Sequence, residues 1–99
     1  MRDITPIYKV YAICDYTNGD IRYIGCTKKK LKERLTAHIF GLHNMLGRKK
    51  TWINEYLERG EMPVILELFS FEDKQTALNK EQECIKFYRK LGYDLLNMQ

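Results

Sequence analysis

The stretch Thr17-Asn18-Gly19-Asp20 constrains this chain more than any other. Asn-Gly between two runs of β-branched and aromatic residues marks a hairpin, because both residues tolerate the left-handed backbone that tight turns demand. The runs are Ile7 to Tyr16 and Ile21 to Thr27. A two-residue Asn-Gly loop pairs positions whose numbers sum to 37, setting Tyr11 against Cys26 and Tyr23 against Cys14. Side chains alternate along a strand, so the two tyrosines then point to opposite faces. A three-residue loop with Gly19 in a left-handed bulge position moves the sum to 36, and Tyr11 and Tyr23 share a face. If both serve one site, the shifted register is expected.

Beyond the hairpin the apolar residues recur with helical spacing. Lys29 to Met45 reads as a helix capped by Thr27, with Leu31, Leu35, Leu42 and Leu46 in a stripe, Ile39 nearby and Gly47 as its stop. A second helix covers about Lys50 to Arg59, with Trp52, Ile53, Tyr56 and Leu57 inward and Gly60 ending it. After Pro63, Val64 to Phe69 reads as a third strand. Ser70-Phe71-Glu72-Asp73 looks like a capping sequence opening a last helix, which runs to about Leu91 and stops at Gly92. Tyr93 to Gln99 is a short tail. The order ββααβα predicts an α/β (α+β) fold: a small three-stranded, mainly antiparallel sheet covered by helices. Ninety-nine residues without a linker, repeat or low-complexity stretch make residues 1–99 a single domain with one modest core.

No apolar run approaches bilayer length, and Met-Arg-Asp-Ile-Thr-Pro is not a signal peptide, so a membrane is not an expected partner and the expected location is cytoplasmic. Cys14, Cys26 and Cys84 are odd in number and lack the close spacing of a zinc or redox motif; they read as reduced thiols, two of them partly buried in a strand and a helix. Charge is distributed unevenly. Between Arg22 and Lys50 nine Lys/Arg face one acid, Glu33, while the remainder holds eight bases and twelve acids. A basic segment of this breadth, interleaved with Tyr23 and His38, suits a polyanion approached from one side. Lys28, Lys29, Lys30, Lys32, Arg48, Lys49 and Lys50 are the residues expected to touch it. A lone lysine run would read instead as a solvated helix face.

Several residues have chemistry available at suggestive positions. Glu81 is the sharpest. The last helix puts Ala77, Leu78, Cys84, Ile85, Tyr88 and Leu91 on one stripe, and Glu81 falls in its middle, whereas Glu83 is rotated away into solvent. A carboxylate in an apolar stripe must be paired, protonated or bound to a metal. An ion pair with Arg34 or a lysine is the competing explanation. Arg34 and His38, four apart, lie on neighbouring turns of one helix face. An arginine there can hold a phosphate bidentately, and a histidine can accept a proton or bind phosphate. By default both are ordinary helix residues, as His43 is taken to be. Tyr11 and Tyr23 are packing aromatics by default, and tyrosines near a metal and cations lose their protons more easily. Gly25 suits the close backbone approach of a ligand, or simply the end of a strand. Trp52 is most simply core. Leu95 and Leu96 can pin the tail so that the Asn97 amide positions tyrosine or glutamate side chains; otherwise Asn97 is a terminal polar residue with no task.

Taken in order, these residues resemble the GIY-YIG nuclease family. Its first motif corresponds to Lys9-Val10-Tyr11 and its second to Tyr23-Ile24-Gly25. Leu31 to His38 resembles the family's Arg and His helix, and Trp52-Ile53 through Gly60 and Pro63 is similar to the segment many members carry before the third strand. Ala77-Leu78-Asn79-Lys80-Glu81, then Ile85, resembles the glutamate helix, and Leu96-Asn97 the terminal asparagine motif. The resemblance covers about Tyr8 to Asn97. It implies DNA phosphodiester cleavage with one Mg²⁺ or Mn²⁺ at Glu81, Arg34 on the scissile phosphate, and Tyr11 and Tyr23 lining the site with Tyr23 activating the attacking water. His38 would assist, and Asn97 would hold the site in order. One protein ligand is chemically adequate for Mg²⁺, which keeps several waters and takes phosphate oxygens. Lys9 stands where the family usually has glycine. With no element for long sequence recognition in view, structure-directed or weakly specific cutting of duplex or branched DNA is expected, or recruitment by a protein partner. The alternative is a non-catalytic module that uses the fold to bind nucleic acid or protein, with Glu81 in an ion pair.

Overall fold

The structure, a computed structural model, describes residues 7–15, 17–40 and 48–97, and at 40 and 48–50 the backbone alone. Its elements are β1 (Tyr8–Cys14), β2 (Ile21–Thr27), α1 (Leu31–Phe40), α2 (Arg48–Glu58), β3 (Val64–Phe71) and α3 (Lys74–Lys90). The three strands form one antiparallel sheet in the order β2-β1-β3, an α+β arrangement. β1 takes the centre because it is apolar on both faces: Val10 to Cys14 are all buried. Val10, Ala12 and Cys14 pack with Ala77, Cys84 and Ile85 of α3, and Tyr11 and Ile13 pack with Trp52, Ile53 and Tyr56 of α2. Leu31 and Ile39 of α1 close over the second cluster.

Tyr11 lies opposite Gly25 and Ile13 opposite Tyr23, the register in which both tyrosines share a face. The loop that produces it is not the expected three-residue one. The Asp15 amide donates to the Asp20 carbonyl (2.8 Å) and the Gly19 amide to the Asp15 carbonyl (2.8 Å), so four residues separate the closing pair. A bulge then leaves Arg22 unpaired between Ile13↔Tyr23 and Cys14↔Ile21 and restores the register. Gly19, at φ 75°, supplies the left-handed residue in this loop.

Element boundaries needed three corrections. α1 opens at Leu31, with the Arg34 amide on the Lys30 carbonyl; Thr27 is too far upstream to cap it and instead accepts from the Lys29 amide (3.1 Å). Ser70 and Phe71 continue β3 rather than opening α3, because their backbone pairs with Lys9 and Tyr8. The cap is Asp73, whose carboxylate accepts from the Thr76 amide (2.8 Å) and hydroxyl (2.6 Å). Leu91, expected on the buried stripe, is 59% exposed at the cap of α3. α2 ends as expected at Gly60, with the Glu61 amide reaching back to the Tyr56 carbonyl. The expected continuation of α1 to Met45, with Leu42, His43, Leu46 and Gly47, lies outside the described residues.

Candidate active site

β1 carries Tyr11 into the interior with no exposed surface, and its ring lies over Gly25 on the neighbouring strand. A Cβ at position 25 would stand 2.3 Å from the Tyr11 hydroxyl oxygen and 2.4 Å from Cζ. The backbone approach expected of Gly25 is therefore filled by a side chain of the protein itself, not by a ligand. α1 then brings two groups to the same oxygen. Arg34 Nε donates to the Tyr11 hydroxyl (3.1 Å), and that hydroxyl lies 2.9 Å from His38 Nε2. If the tyrosine hydrogen goes to His38, the imidazole hydrogen is on Nδ1; if Nε2 carries it, the hydroxyl accepts from both Arg34 and His38. Tyr23 joins from β2, its ring edge-on to His38 with centroids 5.4 Å apart and 6.4 Å from that of Tyr11. Burial pushes the Tyr11 hydroxyl up to about 12, with the Arg34 hydrogen bond opposing. Burial likewise raises Tyr23, which is partly exposed.

Glu81 stands at the margin of the apolar stripe, half-buried rather than central to it. Burial lifts its carboxyl above the usual range, and a hydrogen bond from Gln82 Nε2 (3.2 Å) opposes the shift. Among the described residues it makes no ion pair, with Arg34 or with any lysine. Its charge nevertheless adds to the upward shift of both Tyr11 and Tyr23. Glu83 is 68% exposed and paired with Lys80 at 3.3 Å, in keeping with its rotation away from the stripe. As a donor set, one carboxylate without an ion pair among the described residues fits a hard, water-retaining ion such as Mg²⁺. No group of three His, Cys, Asp or Glu gathers among the described residues, so a soft, fully protein-ligated ion has no such donor set there.

Asn97 is buried and grips backbone rather than side chains. Its Oδ1 accepts from the Ile24 amide (2.9 Å), and its Nδ2 donates to the Ile24 carbonyl (2.7 Å). Leu95 and Leu96 are buried beneath it, and the Leu96 amide bonds the Arg22 carbonyl. The tail thereby acts as a partner for the outer edge of β2, next to Tyr23.

Lys28, Lys29, Lys30 and Lys32 are exposed around the start of α1, and Arg48, Lys49 and Lys50 open α2, their side chains undescribed. Arg22 leaves this basic group. Its Nε donates to the Asp94 carbonyl (3.0 Å), and its guanidinium pairs with the Asp94 carboxylate and lies over Trp52. Lys9 reaches forward to the Lys29 carbonyl (3.3 Å), linking the start of β1 to the turn before α1. Sequence reasoning named Lys28 but missed Tyr8 and Lys74, which line a pocket with it. The signal was present: Lys74, Leu78 and Glu81 have the four-then-three spacing of one helix face.

Among the described residues, no helix is long and apolar enough to cross a membrane. The family model described as the GIY-YIG catalytic domain matches residues 7–94. No curated protein and no solved structure gives a significant match. With nearly the whole chain matched, and Gly25, Arg34 and His38 gathered around the Tyr11 hydroxyl, the chain belongs to the GIY-YIG catalytic domain family, a family of nucleases.

Proposed function

We propose that this domain is a divalent-metal-dependent endonuclease that hydrolyses DNA phosphodiester bonds in a structure-directed or weakly sequence-specific manner. The observation that carries this reading is the Tyr11 hydroxyl held between Arg34 and His38. Tyr11 is wholly buried and serves as a positioning residue: it fixes the Arg34 fork and the His38 ring. Arg34 uses Nε on Tyr11, which leaves its terminal amino groups for the oxygens of the scissile phosphate. Tyr23 is the partly exposed tyrosine of the pair and orients the attacking water, with His38 against its ring. Asn97 keeps the Tyr23–Gly25 strand in place. Hydrolysis joins the water oxygen to phosphorus, breaks one phosphorus–oxygen bond to sugar, and returns a proton to the departing oxygen.

Glu81 would hold Mg²⁺ or Mn²⁺; such an ion supplies Lewis acidity at the phosphate and makes a nearby water more acidic. The exposed lysines supply sequence-independent affinity that falls with salt. Three free thiols suit a reducing cytoplasm, and a recruiting protein partner would add the target choice that the domain lacks.

The test uses supercoiled and branched DNA with wild type and Glu81→Gln, with and without Mg²⁺ or Mn²⁺, at low salt. Wild type should nick only with metal, and the variant should not nick. Metal should raise the melting temperature of wild type alone. A carboxyl raised by burial costs stability once pH exceeds its unfolded value, so in EDTA at pH 7 Glu81→Gln should melt no lower than wild type. Cutting by both proteins would overturn the role of Glu81. Salt-sensitive binding with no cutting by either would overturn catalysis in favour of a binding module.

A further inference from the structure

Lys74, Leu78 and Glu81 share one face of α3, four and three residues apart. The end of β2 and the start of β1 lie against that face. Tyr8, Cys26, Thr27, Lys28, Lys74 and Leu78 together line a pocket of ≈ 220 Å³. Burial raises the Cys26 thiol, Glu81 adds to the rise and Lys74 opposes it, so this thiol is within electrostatic reach of both charges. Glu81 also acts on Tyr23, whose ring is on the opposite face of the sheet from Cys26. Glu81 follows Leu78 on the same face of α3, about one turn along the helix from the pocket. The tail covers the edge of β2 at Arg22 and Ile24, and the pocket lies past that cover, at the Cys26–Lys28 end.

The lining has a definite chemistry. Two ammonium groups suit a phosphate, and the Tyr8 ring with the Leu78 side chain offers a wall for a flat aromatic group. The volume is of the size of one nucleotide and far too small for a duplex. We propose that this pocket takes one nucleotide of the cut strand beside the scissile phosphate, with its phosphate between Lys28 and Lys74 and its base against Tyr8. This rests on the nuclease function proposed above. A strand running from Arg34 around the end of β2 into the pocket must leave its neighbours' stack. Unstacking costs least at a branch, a mismatch or a single-stranded arm. The pocket thus selects DNA by deformability, without reading sequence.

Cys26 makes the proposal measurable without catalysis. It is partly exposed, while Cys14 and Cys84 are buried and serve as internal controls. The full chain is saturated with a branched DNA carrying a single-stranded arm, without divalent ions and with binding followed by fluorescence anisotropy. N-ethylmaleimide labelling is then read residue by residue by mass spectrometry. Bound DNA should slow Cys26 alkylation at least tenfold in wild type and in Lys74→Arg. In Lys74→Met protection should fall below twofold, with the salt dependence of binding reduced by about one phosphate contact, a change of ~0.9 in log–log slope. The variant's melting temperature should stay within a few degrees of wild type, because Lys74 is exposed. Saturation with Cys26 alkylated at the free rate would overturn the pocket and leave the nuclease reading standing. Protection unchanged in Lys74→Met would overturn the assignment of Lys74. Failure of wild type to bind DNA at any salt would overturn both.

Discussion

Replacing Gly25 with alanine would place a methyl carbon 2.3 Å from the Tyr11 hydroxyl oxygen, 2.4 Å from Cζ and 2.8 Å from Cε2. Ordinary contact begins at 3.4 Å, so ring or strand must withdraw by about 1 Å. Neither is free to do so. The ring is fully buried, its oxygen is tied to Arg34 and His38, and Gly25 is paired across the ladder with Tyr11 itself. Overpacking of this kind costs about 1–3 kcal/mol. Loss of the two hydrogen bonds adds about 1 kcal/mol each. The lower entropy of an unfolded alanine returns somewhat less than 1 kcal/mol. The expected net is about 2–4 kcal/mol, which for a domain this size lowers the melting temperature by roughly 10–25 °C. Thermal and urea unfolding measure it directly. A double-mutant cycle locates the cause. In a Tyr11→Phe background the penalty should persist, because Cζ is still present; in Tyr11→Leu, which ends short of the clash, it should largely vanish. A Gly25→Ala protein melting within about 3 °C of wild type, or one equally destabilised in the leucine background, would refute the packing argument.

The Tyr11 hydroxyl also sets an alkaline limit. A free tyrosine ionises near 10 and Tyr11 near 12, so its contribution is whole below pH 10 and is lost as pH rises through about 12. That amounts to at most about 3 kcal/mol, and urea midpoints between pH 9 and 12 should fall less steeply for Tyr11→Phe than for wild type. Asn97→Ala should cost roughly 2–4 kcal/mol, because it leaves the amide and carbonyl of buried Ile24 unpaired. Asn97→Asp should not rescue it, since a carboxylate would face the Ile24 carbonyl where the amide donated. Hydrogen exchange at the Ile24 amide, with urea unfolding, checks both.

The hairpin, the order of elements and the inward faces of α2 and α3 were legible because each rests on local pattern. The register was legible only through function, by requiring Tyr11 and Tyr23 on one face. The loop was misread because a bulge at Arg22 compensates for its extra residue, and neither leaves a mark in composition. Asp73 was hidden as a cap by Ser70 three residues earlier, which fits the same pattern; pairing with β1 decides between them. Arg22 illustrates a limit of counting charge, since a cation engaged by Asp94 and Trp52 is no longer offered to DNA. Glu81 drew notice as a carboxylate in the middle of an apolar stripe, whereas it stands half-buried at the margin, which helix spacing alone does not resolve. Gly25 was noticed for the right reason, close approach, but the approaching group is the Tyr11 ring, which only the folded register reveals.

The clasp between Asn97 and Ile24 spans 73 residues. Contacts this distant in sequence form late, after the chain between them has been drawn in. A growing chain that has not yet reached Asn97 can pair β1 with β2, but the outer edge of β2 beside Tyr23 stays unclasped. The clasp beside Tyr23 is therefore closed only after every strand of the sheet has been synthesised. A chain cut before that asparagine leaves the amide and carbonyl of Ile24 without this partner, and should unfold more readily than the whole domain.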